Sequence, residues 1–143
     1  MSTDYDTDFY TWTQRQARLL AQRRFDELDL ENLIEEVESM GRSEQDKLES
    51  HLHVLLWHLL KWQYQPDRRG NSWRLTIKEQ RRQVAKVLRK NPGLKASLDE
   101  TMADAYETAR LSAARETDLN EALFPAVCPW GFEAISDEDF WPE

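Results

Sequence analysis

The sequence predicts an all-α protein, a bundle of about four helices around one long central helix, with an irregular aromatic C-terminal segment packed on it. Apolar residues between positions 30 and 64 recur at steps of three and four, which is the spacing of one helix face. The composition is 40% hydrophobic and 32% charged, with only four glycines and five prolines. Such a composition favours a helical protein with a charged surface over a sheet protein with many turns.

The length of 143 residues predicts a single domain over residues 1–143, in which residues 1–7 are frayed and residues 116–143 form the irregular segment. The single cysteine excludes an intramolecular disulfide, and the N-terminal residues lack the pattern of a signal peptide, so we expect a cytoplasmic location. No apolar run approaches the ~20 residues of a spanning helix, so we expect no membrane partner.

A first helix is predicted after a candidate N-cap at Asp6 or Thr7, because the apolar face is shared by Phe9, Trp12, Gln16, Leu19 and Leu20. The central helix is predicted over residues 29–65, between the N-cap Asp29 and a proline that ends it. Its apolar stripe keeps one phase across a glycine that could instead end one helix before a restart. We therefore expect one helix. The stripe comprises Leu30, Leu33, Ile34, Val37, Met40, Gly41, Leu48, Leu52, Leu55, Leu59 and Trp62.

Two more helices are expected after the central one. The third is capped by Asn71 or Ser72 and runs to about Lys90, with a narrow apolar face and an otherwise basic or amide surface. The fourth begins at Pro92, which suits a first helical position, and its alanines allow close approach of a neighbouring helix.

Charge is segregated along the chain. Residues 26–49 hold ten acids and two bases, residues 61–95 hold eleven bases and two acids, and residues 99–143 hold twelve acids and two bases. The basic third helix either pairs with the acidic segments and forms a solvated face, or contacts nucleic acid with Trp62, Tyr64 or Trp73 stacking on bases. The pI near 5.0 works against attraction to a polyanion. The candidate phosphate contacts are Arg74, Lys78, Arg81, Arg82, Lys86 and Arg89.

Glu44, His51 and His58 stand seven residues apart on one flank of the central helix, which makes them candidate metal ligands. Each step is ~10.5 Å along the helix axis, so other helices would have to supply further ligands. The alternative is partly buried histidines hydrogen-bonded to neighbouring helices. The Glu-x-x-His and His-Glu-x-x-His motifs are absent, and we expect no catalytic residue and no cofactor.

Six tryptophans are many for this length and supply large, rigid contact area. The candidate interaction residues are Trp62, Trp73, Trp130 and Trp141. We therefore expect a non-enzymatic protein-interaction or regulatory module that binds a protein partner or a second copy of itself. Nucleic-acid binding through the third helix is the alternative, and a metal-dependent enzyme using His51 and His58 comes last.

Three stretches carry a family resemblance: residues 8–12 (DFYTW), 28–40 (LDLENLIEEVESM) and 58–66 (HLLKWQYQP). Residues 72–74 (SWR) and Pro92 fit the same pattern. Over nearly its whole length the chain resembles the bacterial domain of unknown function 29 family. This resemblance implies a small all-helical protein and brings no activity, substrate or catalytic residue.

Overall fold

The computed structural model describes residues 4–143, and every regular element in that range is helical. Four of the helices have more than ten residues, as the sequence predicts, and the all-α class is confirmed. The helices are α1 Asp4–Thr7, α2 Phe9–Ala21, α3 Leu30–Tyr64, α4 Asn71–Lys90, α5 Leu98–Thr117 and α6 Phe132–Ser136. Short 3₁₀ helices occupy Phe25–Glu27, Pro66–Arg68, Pro92–Ser97 and Glu121–Leu123.

Helix α3 is continuous across Gly41, so the restart at Ser43 does not occur. A Cβ at this position would meet no atom within 4 Å, and a single helical glycine costs only about 1 kcal/mol relative to alanine. The cost is small beside the hydrogen bonds of a 35-residue helix. Asp29 precedes α3, and its carbonyl accepts the backbone N–H of Leu33 at 3.0 Å.

The described chain forms two compact units, residues 4–43 and Glu44–Glu143, and α3 contributes residues to both. The single domain expected over residues 1–143 stays a prediction. Of the segment expected to be frayed, residues 4–7 form α1, whereas residues 1–3 lie outside the described residues. No helix of residues 4–143 has both the length and the hydropathy that a membrane span requires.

In the first unit, α2 is joined to the start of α3 by hydrogen bonds that meet at one aspartate. The indole Nε1 of Trp12 donates to Asp29 Oδ2 at 2.9 Å, and the backbone N–H of Asp29 donates to Gln16 Oε1 at 2.8 Å. Both side chains of α2 are buried, as is Leu19. These contacts fix α2 beside the first half of α3, because the buried side chains of Trp12 and Gln16 both find their hydrogen-bond partners in Asp29.

The second unit has a core built from the second half of α3, from α4 and α5, and from the C-terminal segment. Three alanines of α5 are fully buried in this core: Ala105, Ala109 and Ala113. The main residues of the core of the second unit are Leu48, Leu52, Leu55, Leu59, Ile77, Val84, Ala105, Ala109, Ala113, Phe124 and Ile135.

The C-terminal segment is irregular and packs on this core, as the sequence predicts. Phe124 is buried against Tyr64, with ring centroids 5.0 Å apart, and the rings of Trp62 and Trp141 lie 4.6 Å apart. The segment is therefore held by apolar contacts along much of its length, which offsets the conformational entropy lost on ordering it.

Candidate interaction surface

The first half of α3 carries an apolar stripe that is open to solvent. Leu30, Ile34, Val37 and Met40 are 60%, 52%, 59% and 63% exposed, whereas Leu55 of the second half is 0% exposed. The predicted phase of the stripe is therefore observed, but its burial is confined to the second half. Helical residues normally turn such a stripe toward a core. Its exposure here marks a surface available for binding.

Helix α2 extends this apolar surface. Phe9 and Leu20 are about half exposed, and they line a groove of about 560 Å³ together with Leu33, Val37 and Met40 of α3. Among the described residues, twelve large apolar side chains are exposed, and eight of them lie in residues 9–40. Since single exposed apolar residues are ordinary and contiguous patches are not, the first unit holds the main apolar surface of the described chain.

Asp29 keeps the walls of this groove in place. Its carboxylate accepts hydrogen bonds from Asn32 Nδ2 at 2.8 Å and from Trp12 Nε1 at 2.9 Å. The donors Asn32 and Trp12 hold the pKa of Asp29 below its ordinary value, because both stabilise the charged carboxylate. Trp12 and Gln16, which line the groove, are thus held in place by Asp29, which lowers the cost of ordering this part of the groove when a partner binds.

The edge of the stripe is acidic. Glu31 and Glu38 are exposed, and their helix positions lie about 90–120° from the centre of the stripe. Glu35 is paired with Arg42, with Oε1 and Nη2 3.2 Å apart. Glu36 is the one charged side chain that lines the groove. The first unit therefore presents apolar side chains within a carboxylate border.

Residues 5–141 match the family model described as "Domain of unknown function DUF29". The chain belongs to this family. No curated protein and no solved structure matches it. This description assigns no function to the family.

The tryptophans expected to mediate interactions lie in the second unit of this DUF29 chain and pack within it. Trp62 lies against Trp141 and under the Arg69 guanidinium, at 5.1 Å from its ring centroid. Lys61 Nζ lies 4.6 Å from the ring centroid of Trp73. The ring centroids of Trp130 and Phe140 are 6.1 Å apart in an edge-to-face arrangement. All four candidate tryptophans are partly buried. The residues that sequence reasoning missed as a surface are the apolar ones of α2 and early α3.

The predicted phosphate contacts divide into two groups. Arg81 is 4% exposed, and its guanidinium donates to the carbonyl oxygens of Ile135 at 2.7 Å and of Phe140 at 2.6 Å. Burial lowers the pKa of Arg81. Its donors are committed to the C-terminal segment, so it is not positioned to bind a phosphate. The other five candidates are exposed: Arg74, Lys78, Arg82, Lys86 and Arg89.

These five exposed cations share one face of α4. Their positions fall within an arc of about 120° over about 22 Å of helix. Within residues 4–143, no carboxylate lies within 4.0 Å of Lys78, Arg82, Lys86 or Arg89, whereas Lys90 lies 3.5 Å from Glu44. The expected pairing of the basic helix with acidic segments is therefore limited to its C-terminal end.

The structure gives the three candidate metal ligands separate partners. His51 Nδ1 lies 2.8 Å from Gln80 Oε1, and His58 Nδ1 donates to the carbonyl of Val54 at 2.8 Å. Glu44 accepts from Lys47 at 2.7 Å and from the amide of Asn91 at 2.9 Å. These two donors lower the pKa of Glu44 to about 2. In the part of the chain that the structure describes, no three His, Cys, Asp or Glu side chains are grouped to hold a metal ion.

Proposed function

We propose that this DUF29 chain is a protein-interaction module and that its first unit docks a partner through the apolar surface of α2 and early α3. The observation that carries this proposal is the exposure of Leu30, Ile34, Val37 and Met40 along one helix face. Side chains with this spacing are the ones that a second helix packs against.

The energetics support binding at this surface. Each of these side chains contributes about 1.5–3 kcal/mol when fully buried, so covering their exposed fractions contributes on the order of 5 kcal/mol in total. Phe9 and Leu20 add contact area from α2. Such a gain offsets a large part of the 4–15 kcal/mol that association costs through lost rigid-body freedom.

Site-specific photocrosslinking in cells tests this function. A benzophenone side chain is placed at position 37, and the matched control carries it at position 111, where Leu111 is 47% exposed in the second unit. We expect a discrete crosslinked species from position 37, lost in the Ile34→Gln variant, and none of that size from position 111. Equal labelling from both positions, or no adduct from position 37, would contradict the proposal.

Nucleic-acid binding is the second candidate function, and it is favoured by the cationic face of α4, where Lys78, Arg82, Lys86 and Arg89 form no ion pair with the described carboxylates. A row of Lys and Arg over about 22 Å has the form of a backbone-tracking surface. Anisotropy of a labelled single-stranded 20-mer should then fall steeply with salt, since each neutralised phosphate contributes about −0.7 to the logarithmic salt slope.

The matched variants are Arg82→Glu with Lys86→Glu on α4 and Arg15→Glu with Arg18→Glu on α2, all at exposed positions. The α4 pair should weaken binding at least tenfold and reduce the salt slope, while the α2 pair should change it less than threefold. Equal effects of the two pairs would exclude a role specific to α4.

A further inference from the structure

The carboxylates around the α3 stripe identify the chemistry of its partner. Residues 26–43 hold seven acids and one base, Arg42, which is already paired with Glu35. Glu31 and Glu38 are exposed on the same flank of α3 because they stand two helical turns apart. An anionic border of this kind favours a cationic partner, since opposite charges increase association rates and like charges oppose docking.

The arginines of α2 do not cancel this border. Arg15 and Arg18 are exposed, but their positions lie about 130° and 170° around α2 from the centre of the residues that line the groove. The α2 side of the groove is instead neutral, with Phe9, Thr13 and Leu20 among its lining residues.

A second copy of the chain matches this surface poorly. Two first units that pack stripe to stripe bring Glu31 and Glu38 of both copies to one interface, where like charges oppose each other. Helix α4 of a second copy has the required positive charge but lacks an apolar stripe, since Leu75 is its one exposed large apolar side chain. The best match is therefore a different helix that is both basic and amphipathic.

We propose that the α2–α3 surface binds an amphipathic α-helix of another protein, with apolar residues at steps of three and four and with Lys or Arg along one flank. The partner's apolar residues pack on Leu30, Ile34 and Val37, which span about 10 Å of α3. Its cations lie beside Glu31 and Glu38. This inference rests on the proposed interaction function and adds the class of partner to it.

The test uses the full chain and two labelled 18-residue probes. One probe is a helix-forming Leu/Lys peptide with an amphipathic pattern, and the other has Glu in place of every Lys. Binding is followed by fluorescence anisotropy at 150 mM salt, where long-range charge effects are largely screened. Light scattering on the same samples reports the oligomeric state of the chain.

Three double variants accompany the wild type. Ile34→Gln with Val37→Gln removes the apolar contact and keeps good helix formers. Glu31→Lys with Glu38→Lys reverses the charge at these two positions of the carboxylate border. Asp104→Lys with Glu107→Lys is the matched control, because it makes the same change in net charge at exposed positions of α5.

The proposal predicts that the Lys peptide binds at least tenfold more tightly than the Glu peptide. The apolar variant and the border variant should each weaken its binding at least fivefold, and the α5 control less than twofold. If the α5 control weakens binding as much as the border variant does, the net charge of the chain explains the attraction, and the proposal is overturned.

Three other results would also overturn it, and they bear differently on the proposed function. If both peptides bind equally and the apolar variant loses this binding, the proposed basic partner is wrong, whereas the proposed interaction surface stands. A wild-type dimer that Ile34→Gln with Val37→Gln dissociates would make a second copy the occupant. If neither peptide binds but position 37 still forms a specific adduct, the proposed class of partner is wrong and the proposed interaction function stands.

Discussion

Replacing Leu30 and Leu55 by alanine, one at a time, tests whether α3 buries only the second half of its apolar stripe. Leu55 is 0% exposed within the core of the second unit, so its truncation leaves a cavity and should lower the free energy of unfolding by about 2–5 kcal/mol. Leu30 is 60% exposed. Its truncation loses less than half of a leucine's burial and leaves no closed cavity, so the expected loss is about 1 kcal/mol or less.

Urea denaturation followed by far-UV circular dichroism measures both losses on the same helix with the same substitution. The measurement is made at two protein concentrations that differ tenfold. A loss for Leu30→Ala as large as that for Leu55→Ala at low concentration would refute the exposure of the stripe. A loss that grows with concentration would show that a second copy covers Leu30, because association stabilises the folded state by mass action.

Three further predictions concern the second unit. Arg81→Met should cost about 2–4 kcal/mol and speed proteolysis of the C-terminal segment, while the exposed Arg82→Met should change stability by less than about 0.5 kcal/mol; similar effects would contradict the role of Arg81. The pKa of Glu44, lowered to about 2, implies that its carboxylate stabilises the fold above pH 4.5 and that this contribution is lost as the pH falls toward 2. The difference in urea midpoint between wild type and Glu44→Gln should therefore shrink below pH 4.5, and a constant difference would exclude this linkage. Burial raises the pKa of the Cys128 thiol, so iodoacetamide should alkylate it at least tenfold more slowly in the native protein than in urea, and equal rates would show an accessible thiol.

The helices could be predicted because their signals are local. Asp29 and Pro66 flank α3, and the apolar phase across Gly41 predicted one continuous helix. The start predicted for the fourth helix at Pro92 was wrong, because Pro92–Ser97 is a 3₁₀ helix and α5 begins at Leu98. The same phase could not tell which part of α3 is covered. Coverage depends on the lengths and positions of other elements, and α2 has 13 residues against the 35 of α3.

The fate of individual charges could not be predicted either. Arg81 has the same sequence context as Arg82, yet its partners are carbonyls of residues 54–59 positions further along the chain. Lys61 is 2% exposed because Glu116 lies 2.7 Å from its Nζ and the ring of Trp73 lies below it. Such pairings are non-local, so a helical projection of one segment cannot reveal them.

The most direct test of the central claim is amide hydrogen exchange, measured on the intact chain with and without the partner recovered by crosslinking at position 37. If the first unit is the docking surface, exchange slows in α2 and in α3 up to Met40, since covering these helices suppresses their local opening. Slowing confined to α4 or to the C-terminal segment would contradict the account and place the binding surface in the second unit.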